Sequence, residues 1–301
     1  MHKRIDIRRV VRHALVALLT LVPCAAQAQK YAVANAENEP VTPFKIAPNL
    51  YYVGGTYAAS YLFTSPSGHI LLDVGFMESA PQVLASIKAL GFNPRDVRIL
   101  LNSHAHFDHA GGLAALKAAS GARLFASAGD AKQLREGGLD DYGLFDKGLF
   151  PPVVVDSIIP NGSIVKLGGW QLKAVITPAH TRGCTNWTTT VETDGKPLGA
   201  VFMCSASVPG YKLVGNRGYP NIVSDYERLF PALRALRCDY FFGSHPSFFS
   251  MTEKAAKLRA NPSGANPFID PADCRQWIDE NDKAFRDQVT REKAAQAKPN
   301  G

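Results

Sequence analysis

Apolar residues recur with two different periods through the first half of the chain. Short apolar runs, and apolar residues that alternate with polar ones, predict β-strands at residues 50–53, 60–63, 69–73, 97–101 and 124–126. Between them, residues 81–90 place Val83, Leu84 and Ile87 on one face at helical spacing, and residues 113–119 form a second predicted helix. Strands that alternate with helices in this way indicate an α/β fold.

The second half of the chain begins with closely spaced strands and ends in helices. We predict strands at residues 163–167, 171–176, 187–192, 199–203 and 240–242, and helices at residues 225–236, 252–259 and 271–297. Two halves that each contain a sheet with its own helices predict an αββα sandwich, in which two mixed β-sheets pack face to face with the helices outside. Residues 135–152 are rich in Gly and Asp and are predicted to be a long loop, which in a compact domain is more often functional than accidental.

Composition excludes several classes of protein. Of the 301 residues, 46% are hydrophobic and 20% are charged, which is too apolar for a disordered chain. Five cysteines are too few for a disulfide scaffold, and there is no glycine repeat of the collagen type. The net charge of +7 is concentrated at the start, because the first twelve residues alone carry +4. The remaining +3 forms no basic cluster, so we expect no nucleic-acid partner.

The N-terminal segment has the three parts of a signal peptide. Its basic first twelve residues precede an apolar stretch at residues 14–22, and Ala26-Gln27-Ala28 is a cleavage site of the A-x-A type. The apolar stretch is too short to span a bilayer, so we expect no stable membrane association. Cleavage after Ala28 removes residues 1–28 and leaves residues 29–301 as a single domain, periplasmic or secreted.

Export makes disulfide bonds possible, because exported proteins reside in oxidising compartments. Cys184, Cys204, Cys238 and Cys274 remain after cleavage and allow three pairings. We favour a bridge between Cys238 and Cys274, since it would tie the C-terminal helix to the rest of the domain. Cys204 lies in an apolar strand, where a small buried hydrophobic residue is at least as good an interpretation.

Ionisable side chains of metal-binding type are concentrated directly after the predicted strand at residues 97–101. Within six residues the chain carries His104, His106, Asp108 and His109. Two imidazoles at i and i+2 project in similar directions from extended backbone, while Asp108 and His109 fall at the start of the next helix. Imidazole and carboxylate ligands are those that zinc prefers, and this cluster can serve two ions.

Two more histidines occupy equivalent positions elsewhere in the chain. His180 and His245 each follow an apolar strand, so loops at the sheet ends are expected to bring them to the same cleft. Of the six histidines after residue 28, only His69, in a predicted hairpin turn, has no place in this cluster. Asp73 ends an apolar strand and is interpreted as a structural or supporting carboxylate rather than a ligand.

These residues resemble the metallo-β-lactamase superfamily. The run His104-Ala-His106-Phe-Asp108-His109 matches its H-x-H-x-D-H signature, and His180 and His245 follow in its order. The similarity extends over residues 44–284 and implies the αββα fold of that superfamily. It leaves the substrate open, since thioester hydrolases, lactonases, sulfatases and nucleases carry the same signature.

Three further features are similar to subclass B3 β-lactamases in particular. The strand that precedes Ser205 lacks the metal-bridging aspartate that many of the other hydrolases have there. The segments at residues 178–185, 205–211 and 266–270 and the pair Cys238/Cys274 also resemble that subclass. Other subclasses place a cysteine ligand where Ser205 aligns, and a shift of one residue in this alignment would make Cys204 a ligand instead.

The resemblance implies a zinc-dependent β-lactamase. His104, His106 and His180 would hold one zinc ion, and Asp108, His109 and His245 a second. A zinc-bound hydroxide would attack the β-lactam amide of penicillins, cephalosporins and carbapenems, giving antibiotic resistance, with Asp108 orienting it. Ser205 and Ser207 would bind the substrate carboxylate, and Tyr211 would donate to the developing oxyanion. We expect a monomer; the alternative is another hydrolase of this fold, such as a lactonase or a thioesterase.

Overall fold

The computed structural model describes Tyr31, residues 38–139 and residues 141–297. The predicted signal peptide at residues 1–28 lies outside these ranges. The strands are β1 (Phe44–Ala47), β2 (Leu50–Tyr52), β3 (Tyr61–Phe63), β4 (His69–Leu72), β5 (Val97–Leu101), β6 (Arg123–Ser127), β7 (Ser157–Ile159), β8 (Ile164–Leu167), β9 (Trp170–Ile176), β10 (Thr185–Thr193), β11 (Lys196–Met203) and β12 (Tyr240–Gly243). The α-helices are α1 (Ser79–Ala89), α2 (Phe107–Ala110), α3 (Leu113–Ser120), α4 (Ala128–Glu136), α5 (Ile222–Arg234), α6 (Met251–Ala260) and α7 (Pro271–Gln296). Within the described ranges, none of these helices is both long enough and apolar enough to cross a membrane.

The strands form two mixed sheets. The first has seven strands in the order β1 to β7, antiparallel from β1 to β4 and parallel from β4 to β7. The second has five strands in the order β12-β11-β10-β9-β8, of which only the β11–β12 pair is parallel. This arrangement confirms the predicted αββα sandwich.

Strand alternation explains why the first sheet separates two cores. On β3, Tyr61 and Phe63 pack into the core between the sheets, while Leu62 points to the helices α1 and α3 on the other side. On β4, Leu72 packs into the core between the sheets and Leu71 into the core beneath the helices. Both faces of these strands are therefore apolar, and each buried side chain of this kind contributes about 1.5–3 kcal/mol to folding.

Helices also cover the outside of the second sheet. Trp277 of α7 packs against Phe241 of β12, with ring centroids 5.7 Å apart. Tyr226 of α5 stacks on Phe285 of α7 at 5.0 Å, so the two helices form one layer. The predicted C-terminal helix is thus confirmed as part of the sandwich.

The predictions missed β1, β7 and α4. Helix α4 occupies Ala128–Glu136, so the segment predicted as a loop from residue 135 begins inside a helix. This helix buries only two apolar side chains, Ala131 and Leu134, which is too few to produce a helical pattern in the sequence. Strand β7 has three residues and leaves Ile158 half exposed at the sheet edge, so its pattern is equally weak.

Two disulfide bonds connect the four cysteines after residue 28. The predicted bridge between Cys238 and Cys274 is confirmed, and it attaches α7 beside β12. The interpretation of Cys204 as a lone buried hydrophobic residue is wrong, because Cys204 is bonded to Cys184. The reason is topological: Cys184 immediately precedes β10 and Cys204 immediately follows β11, and these strands are antiparallel neighbours. The bond also removes Cys204 from the set of free thiolates that can bind a metal.

We expect the replacement of both Cys238 and Cys274 by Ser to lower the free energy of unfolding by about 4 kcal/mol in the chain-entropy description of a disulfide. The bridge spans 36 residues of sequence, and its removal gives the unfolded chain more conformational freedom. Equilibrium denaturation in urea measures the change. The matched control replaces Cys184 and Cys204, which are 20 residues apart and should cost somewhat less. Unchanged stability after loss of the longer bridge would contradict this expectation.

Candidate metal centre

The predicted ligands lie in loops that leave both sheets. His104, His106 and His109 follow β5 of the first sheet, while His180 follows β9 and His245 follows β12 of the second sheet. Backbone contacts join these loops, since the Thr185 amide donates to the carbonyl oxygen of Ser103 at 2.8 Å. The two sheets therefore contribute to one site between them.

The five predicted histidines form a single cluster, in which His245 is partly exposed and the other four are buried. The ring of His104 has its centroid 4.8 Å from that of His106, 4.2 Å from that of His109 and 4.7 Å from that of His180. His245 joins through His109, with ring centroids 4.6 Å apart. The sixth histidine, His69, is at the start of β4 and packs against Phe92 instead, away from this cluster.

Within the cluster the possible ligand atoms fall into two neighbouring groups. His104, His106 and His180 each offer one nitrogen, and these atoms lie within 4.8 Å of one another. The second group consists of His104, Asp108 and His109, and Nε2 of His109 is 3.2 Å from Oδ2 of Asp108. His245 belongs to neither group, but its Nε2 lies 3.1 Å from Nε2 of His109. His245 Nε2 is also 3.6 Å from the same Asp108 oxygen. The structure therefore brings the predicted ligands together in two overlapping groups that share His104, and the division of the ligands between two ions stays a prediction.

Four of the five rings have a hydrogen-bond partner on the side that faces away from the cluster. These contacts are His104 Nδ1 with Ser103 Oγ (3.0 Å), His106 Nε2 with the Tyr211 hydroxyl (3.0 Å), His180 Nδ1 with the Ser207 carbonyl (3.0 Å) and His245 Nδ1 with the Tyr57 carbonyl (3.0 Å). The buried Nδ1 of His109 has no hydrogen-bond partner among the described residues and lies 4.0 Å from Asp73 Oδ2. On the inner side, the buried Nε2 of His104 has no hydrogen-bond partner among the described residues. A metal ion is the partner that such an arrangement fits, since ligating histidines bind through one nitrogen while the other is held in place.

The charges of the cluster agree with this interpretation. Burial, and then the neighbouring imidazoles, lower the pKa of His104 and of His180 well below 6.5. The same two causes lower the pKa of His245 to about 4. Burial raises the pKa of Asp108, but His109 and His245 outweigh it and hold that pKa below its usual range. Burial lowers the pKa of His109, but the Asp108 carboxylate outweighs it and raises that pKa above 6.5. Imidazole nitrogens beside a carboxylate are the donor types that zinc binds, so the residues present fit this metal.

Asp73 supports the motif loop, as the sequence indicated. It adopts a left-handed backbone conformation with φ of 56°, directly after β4. Its Oδ1 accepts hydrogen bonds from Asn102 Nδ2 at 2.9 Å and from the Ser103 amide at 2.7 Å. Burial raises the pKa of Asp73 to about 6 despite these donors and the neighbouring His109.

A second supporting carboxylate, Asp130 of α4, was not predicted. Its Oδ2 accepts from the Ala105 amide at 3.0 Å and from Thr181 Oγ1 at 2.9 Å, and its Oδ1 accepts from the Gly183 amide at 2.8 Å. It therefore joins the loop of His104 and His106 to the loop of His180. These contacts connect positions far apart in sequence, so no local pattern reveals them; the weak signal is one acid among small residues.

A third carboxylate, Asp141, lies in the segment predicted as a functional loop. It is buried, and its Oδ1 accepts hydrogen bonds from the amides of Gly143 and Leu144. Its Oδ2 accepts from Gln133 Nε2 at 2.7 Å and lies 3.6 Å from His106 Nε2. Burial raises the pKa of Asp141, but His106 and these donors outweigh it and hold the pKa below its usual range.

Tyrosines pack behind the cluster. The Tyr142 hydroxyl donates to the carbonyl oxygen of Ala179 at 2.8 Å and also contacts that of His180. Its ring lies 5.1 Å from that of Tyr211, and the Arg182 guanidinium lies over it at 5.2 Å. This packing fixes the loop that carries His180.

A cavity of about 400 Å³ opens onto the cluster. Most of the exposed surface of its wall is apolar, although polar side chains also line it. The lining residues are Tyr57, His106, Phe107, Asp108, Leu144, His180, Ser207, Pro209, Tyr211, His245, Ser247 and Phe248. A larger hollow of about 610 Å³ on the outside of the second sheet is lined by residues such as Thr188 and Lys173, and by none of the histidines. Since only the smaller of these two cavities is lined by histidines of the cluster, we assign the candidate active site to it.

The predicted substrate-binding residues are close to the cavity but differ in exposure. Strand β11 ends at Met203, so Ser205 and Ser207 lie in the loop after the strand rather than on it. Their hydroxyls are 3.0 Å apart; Ser207 lines the cavity, whereas Ser205 is 1% exposed. The side chain of Lys212 lines a separate hollow beside Glu292 of α7, away from the cluster.

Comparison with known proteins gives a family match over part of the chain. The model of the metallo-beta-lactamase superfamily matches residues 53–191. A hydroxyacylglutathione hydrolase from Rhodospirillum rubrum is 31% identical over 104 residues, and this match spans 32% of that enzyme's length.

Solved structures match over much more of the chain. The native FEZ-1 metallo-β-lactamase from Legionella gormanii is 39% identical, with a TM-score of 0.83, over 86% of this chain and 99% of that one. A Cronobacter sakazakii metallo-β-lactamase is 42% identical, with a TM-score of 0.80, over 86% of this chain and 98% of that one. BJP-1, a subclass B3 metallo-β-lactamase of Bradyrhizobium japonicum, is 33% identical, with a TM-score of 0.81, over 89% of this chain and 99% of that one. With these matches along nearly their whole length, the chain belongs to the metallo-β-lactamase superfamily.

Proposed function

We propose that this protein is an exported, zinc-dependent β-lactamase of subclass B3. The observation that carries the proposal is the cluster of five imidazoles and Asp108 beside a cavity with a largely apolar wall, in which four of the histidines and Asp108 form two overlapping groups of possible metal ligands. The similar structures named above are metallo-β-lactamases, and this chain matches each of them along nearly its full length. This similarity supports β-lactamase activity over other activities of the same fold.

The proposed cofactor is two zinc ions per chain. His104, His106 and His180 would hold the first, and Asp108, His109 and His245 the second. When bound there, zinc lowers the pKa of water and polarises a carbonyl oxygen. The neutral state of His104, His180 and His245 leaves their nitrogens ready to bind without releasing a proton.

In the proposed reaction, a water molecule is added across the amide of the lactam ring. The water oxygen forms a bond to the carbonyl carbon, the carbon–nitrogen bond breaks, and the ring nitrogen takes up a proton. Asp108 lines the cavity as an ionised carboxylate, so it can accept a hydrogen bond from the attacking water and orient it. This is the proposed catalytic role of Asp108.

Ser207, Ser205 and Tyr211 are the proposed substrate contacts. Ser207 lines the cavity and can donate its hydroxyl to the substrate carboxylate, while Ser205 holds Ser207 through the 3.0 Å contact between their hydroxyls. Tyr211 contributes its ring to the same wall, with its hydroxyl against His106. Burial raises the pKa of Tyr211 far above 10, so its hydroxyl keeps its proton and remains a possible donor to the oxyanion.

The proposed substrates are penicillins, cephalosporins and carbapenems. Two observations support the assignment to subclass B3. BJP-1, which is similar along nearly its whole length, is a subclass B3 enzyme. In addition, the thiol of Cys204 is occupied by its bond to Cys184, so the second position is supplied by His109 rather than by a cysteine.

We also propose export to the periplasm or the medium, with cleavage after Ala28, and a monomeric state. The two disulfide bonds support export, because such bonds persist in oxidising compartments.

The second candidate function is hydrolysis of a thioester or a lactone. The match to a hydroxyacylglutathione hydrolase favours it, although that match is confined to 104 residues. Against it, β11 carries no carboxylate along Lys196–Met203, and Ser205 stands at the site end of that strand where many such hydrolases have a bridging aspartate.

The purified protein should hydrolyse the chromogenic cephalosporin nitrocefin, lose this activity when a chelator removes its metal, and regain it when zinc is added. Absorbance of the opened ring measures the rate. A glutathione thioester assayed in parallel tests the second candidate. Turnover of the thioester without turnover of nitrocefin, any penicillin or any carbapenem would refute the β-lactamase proposal.

His245→Ala should reduce the zinc content from two ions per chain to about one and remove most of the activity, because it deletes a donor of the second position. Metal analysis after gel filtration measures the content. His69→Ala is the matched control, since it deletes a buried imidazole outside the cluster and should leave both ions bound. Two ions still bound to the His245 variant would show that this ligand assignment is wrong.

Ser207→Ala should lower kcat/KM for nitrocefin by about 10- to 150-fold, mainly through a higher KM, since a hydrogen bond to a charged group contributes about 1.5–3 kcal/mol. Steady-state kinetics separates the two constants. Ser224→Ala on α5 removes a hydroxyl that bonds only its own helix start among the described contacts, and it should change neither. A variant of Ser207 with unchanged KM would exclude this residue as a carboxylate ligand.

A further inference from the structure

Asp141 is a buried carboxylate that faces the histidine cluster from outside and belongs to neither group of candidate ligands. Its Oδ2 lies 3.6 Å from Nε2 of His106, and its side chain is 1% exposed. The Tyr211 hydroxyl contacts the same nitrogen at 3.0 Å. His106 therefore has two polar groups near Nε2. The hydroxyl can donate or accept a hydrogen bond, whereas the ionised carboxylate can only accept one.

The Tyr211 hydroxyl by itself does not determine which nitrogen of His106 carries the proton. A hydroxyl can either donate to a bare Nε2 or accept from a protonated one. An ionised carboxylate can only accept, so its negative charge favours a proton on the nitrogen that faces it. Asp141 thus selects the arrangement in which His106 donates from Nε2 and Nδ1 carries the lone pair.

We propose that Asp141 is the positioning residue of His106, which keeps the imidazole proton on Nε2 and turns the lone pair of Nδ1 toward the metal. This inference rests on the zinc site of the proposed function, and it adds a residue that acts through a ligand rather than as one. Partners of this kind fix the ring and the tautomer of ligating histidines, and their loss weakens metal binding 10–100-fold.

The surroundings of Asp141 make its carboxylate a fixed acceptor. The amides of Gly143 and Leu144 both bind Oδ1, which leaves Oδ2 for His106 and for Gln133. A side chain on Gly143 would begin 1.9 Å from the Tyr211 ring, so this turn packs directly against that ring. The loop therefore positions both groups that contact His106 Nε2.

The proposal also defines the state of Tyr211. If His106 donates from Nε2, the Tyr211 oxygen accepts that hydrogen bond, and its own proton is available for a second partner. Tyr211 lines the cavity, so that partner can be the substrate.

Asp141→Asn is the decisive variant, because its carbonyl oxygen can still accept from the Gly143 and Leu144 amides while its amide group replaces Oδ2. Gln133 can rotate its own amide to accept from the new group, whereas His106 would then face a donor. We expect zinc to bind 10–100-fold more weakly to the metal-free full-length variant, measured by competition with a chromophoric chelator. Long-range ¹H–¹⁵N NMR of the metal-free protein should show His106 protonated on Nε2 in the parent and shifted toward Nδ1 in the variant.

Gln133→Ala is the matched control, since it removes a hydrogen bond to the same Oδ2 but leaves the acceptor that faces His106. It should keep the parent tautomer and bind zinc within about threefold of the parent, and both variants should retain the parent melting temperature within a few degrees. An unchanged tautomer in the Asp141 variant, or an equal loss of affinity in the Gln133 variant, would overturn the inference. If the parent itself bound no zinc, the proposed function would fail, while the NMR comparison would still decide the role of Asp141.

Discussion

The packing of five imidazoles and a carboxylate into one largely buried cluster is the constraint on which the rest of the structure depends. Neighbouring ring centroids lie 4.2–4.8 Å apart, and protonated rings at these distances would repel one another. Such a cluster is stable when its rings are neutral and its inner lone pairs share a cation. The fold must therefore hold every ring by its outer side, because the inner side is reserved for the metal.

Three buried carboxylates meet that requirement from three directions. Asp73 holds the backbone of the motif loop, Asp130 joins that loop to the loop of His180, and Asp141 stands behind His106. Burial of a carboxylate is costly, and it raises the pKa of Asp73 and of Asp130 to about 6, whereas His106 and the hydrogen-bond donors hold the pKa of Asp141 below its usual range. This cost is offset by the hydrogen bonds that each carboxylate accepts from backbone amides. The same hydrogen bonds therefore stabilise the fold and align the ligands.

Prediction from the sequence succeeded where the signal was local. His104, His106, Asp108 and His109 lie within six residues, and ten of the twelve strands have apolar patterns strong enough to predict a sandwich of two sheets. Helix α4 was missed because it packs few apolar side chains, and Asp130 and Asp141 were missed because their partners are up to 53 residues away. The bond between Cys184 and Cys204 was missed for a related reason, since it depends on the antiparallel pairing of β10 with β11.

The sequence by itself determined the chemistry of this protein: which side chains can bind a metal, that they follow strands, and that two sheets with outer helices surround them. The motif is short and the strand periodicity is intrinsic to the chain, so neither needs tertiary information. Only the tertiary structure decided which ring nitrogen faces inward, which carboxylate holds which loop, and that Ser207 lines the cavity while Ser205 lies beneath it. Those properties depend on distances of about 3 Å between residues remote in sequence, and such distances exist only after the two sheets have packed.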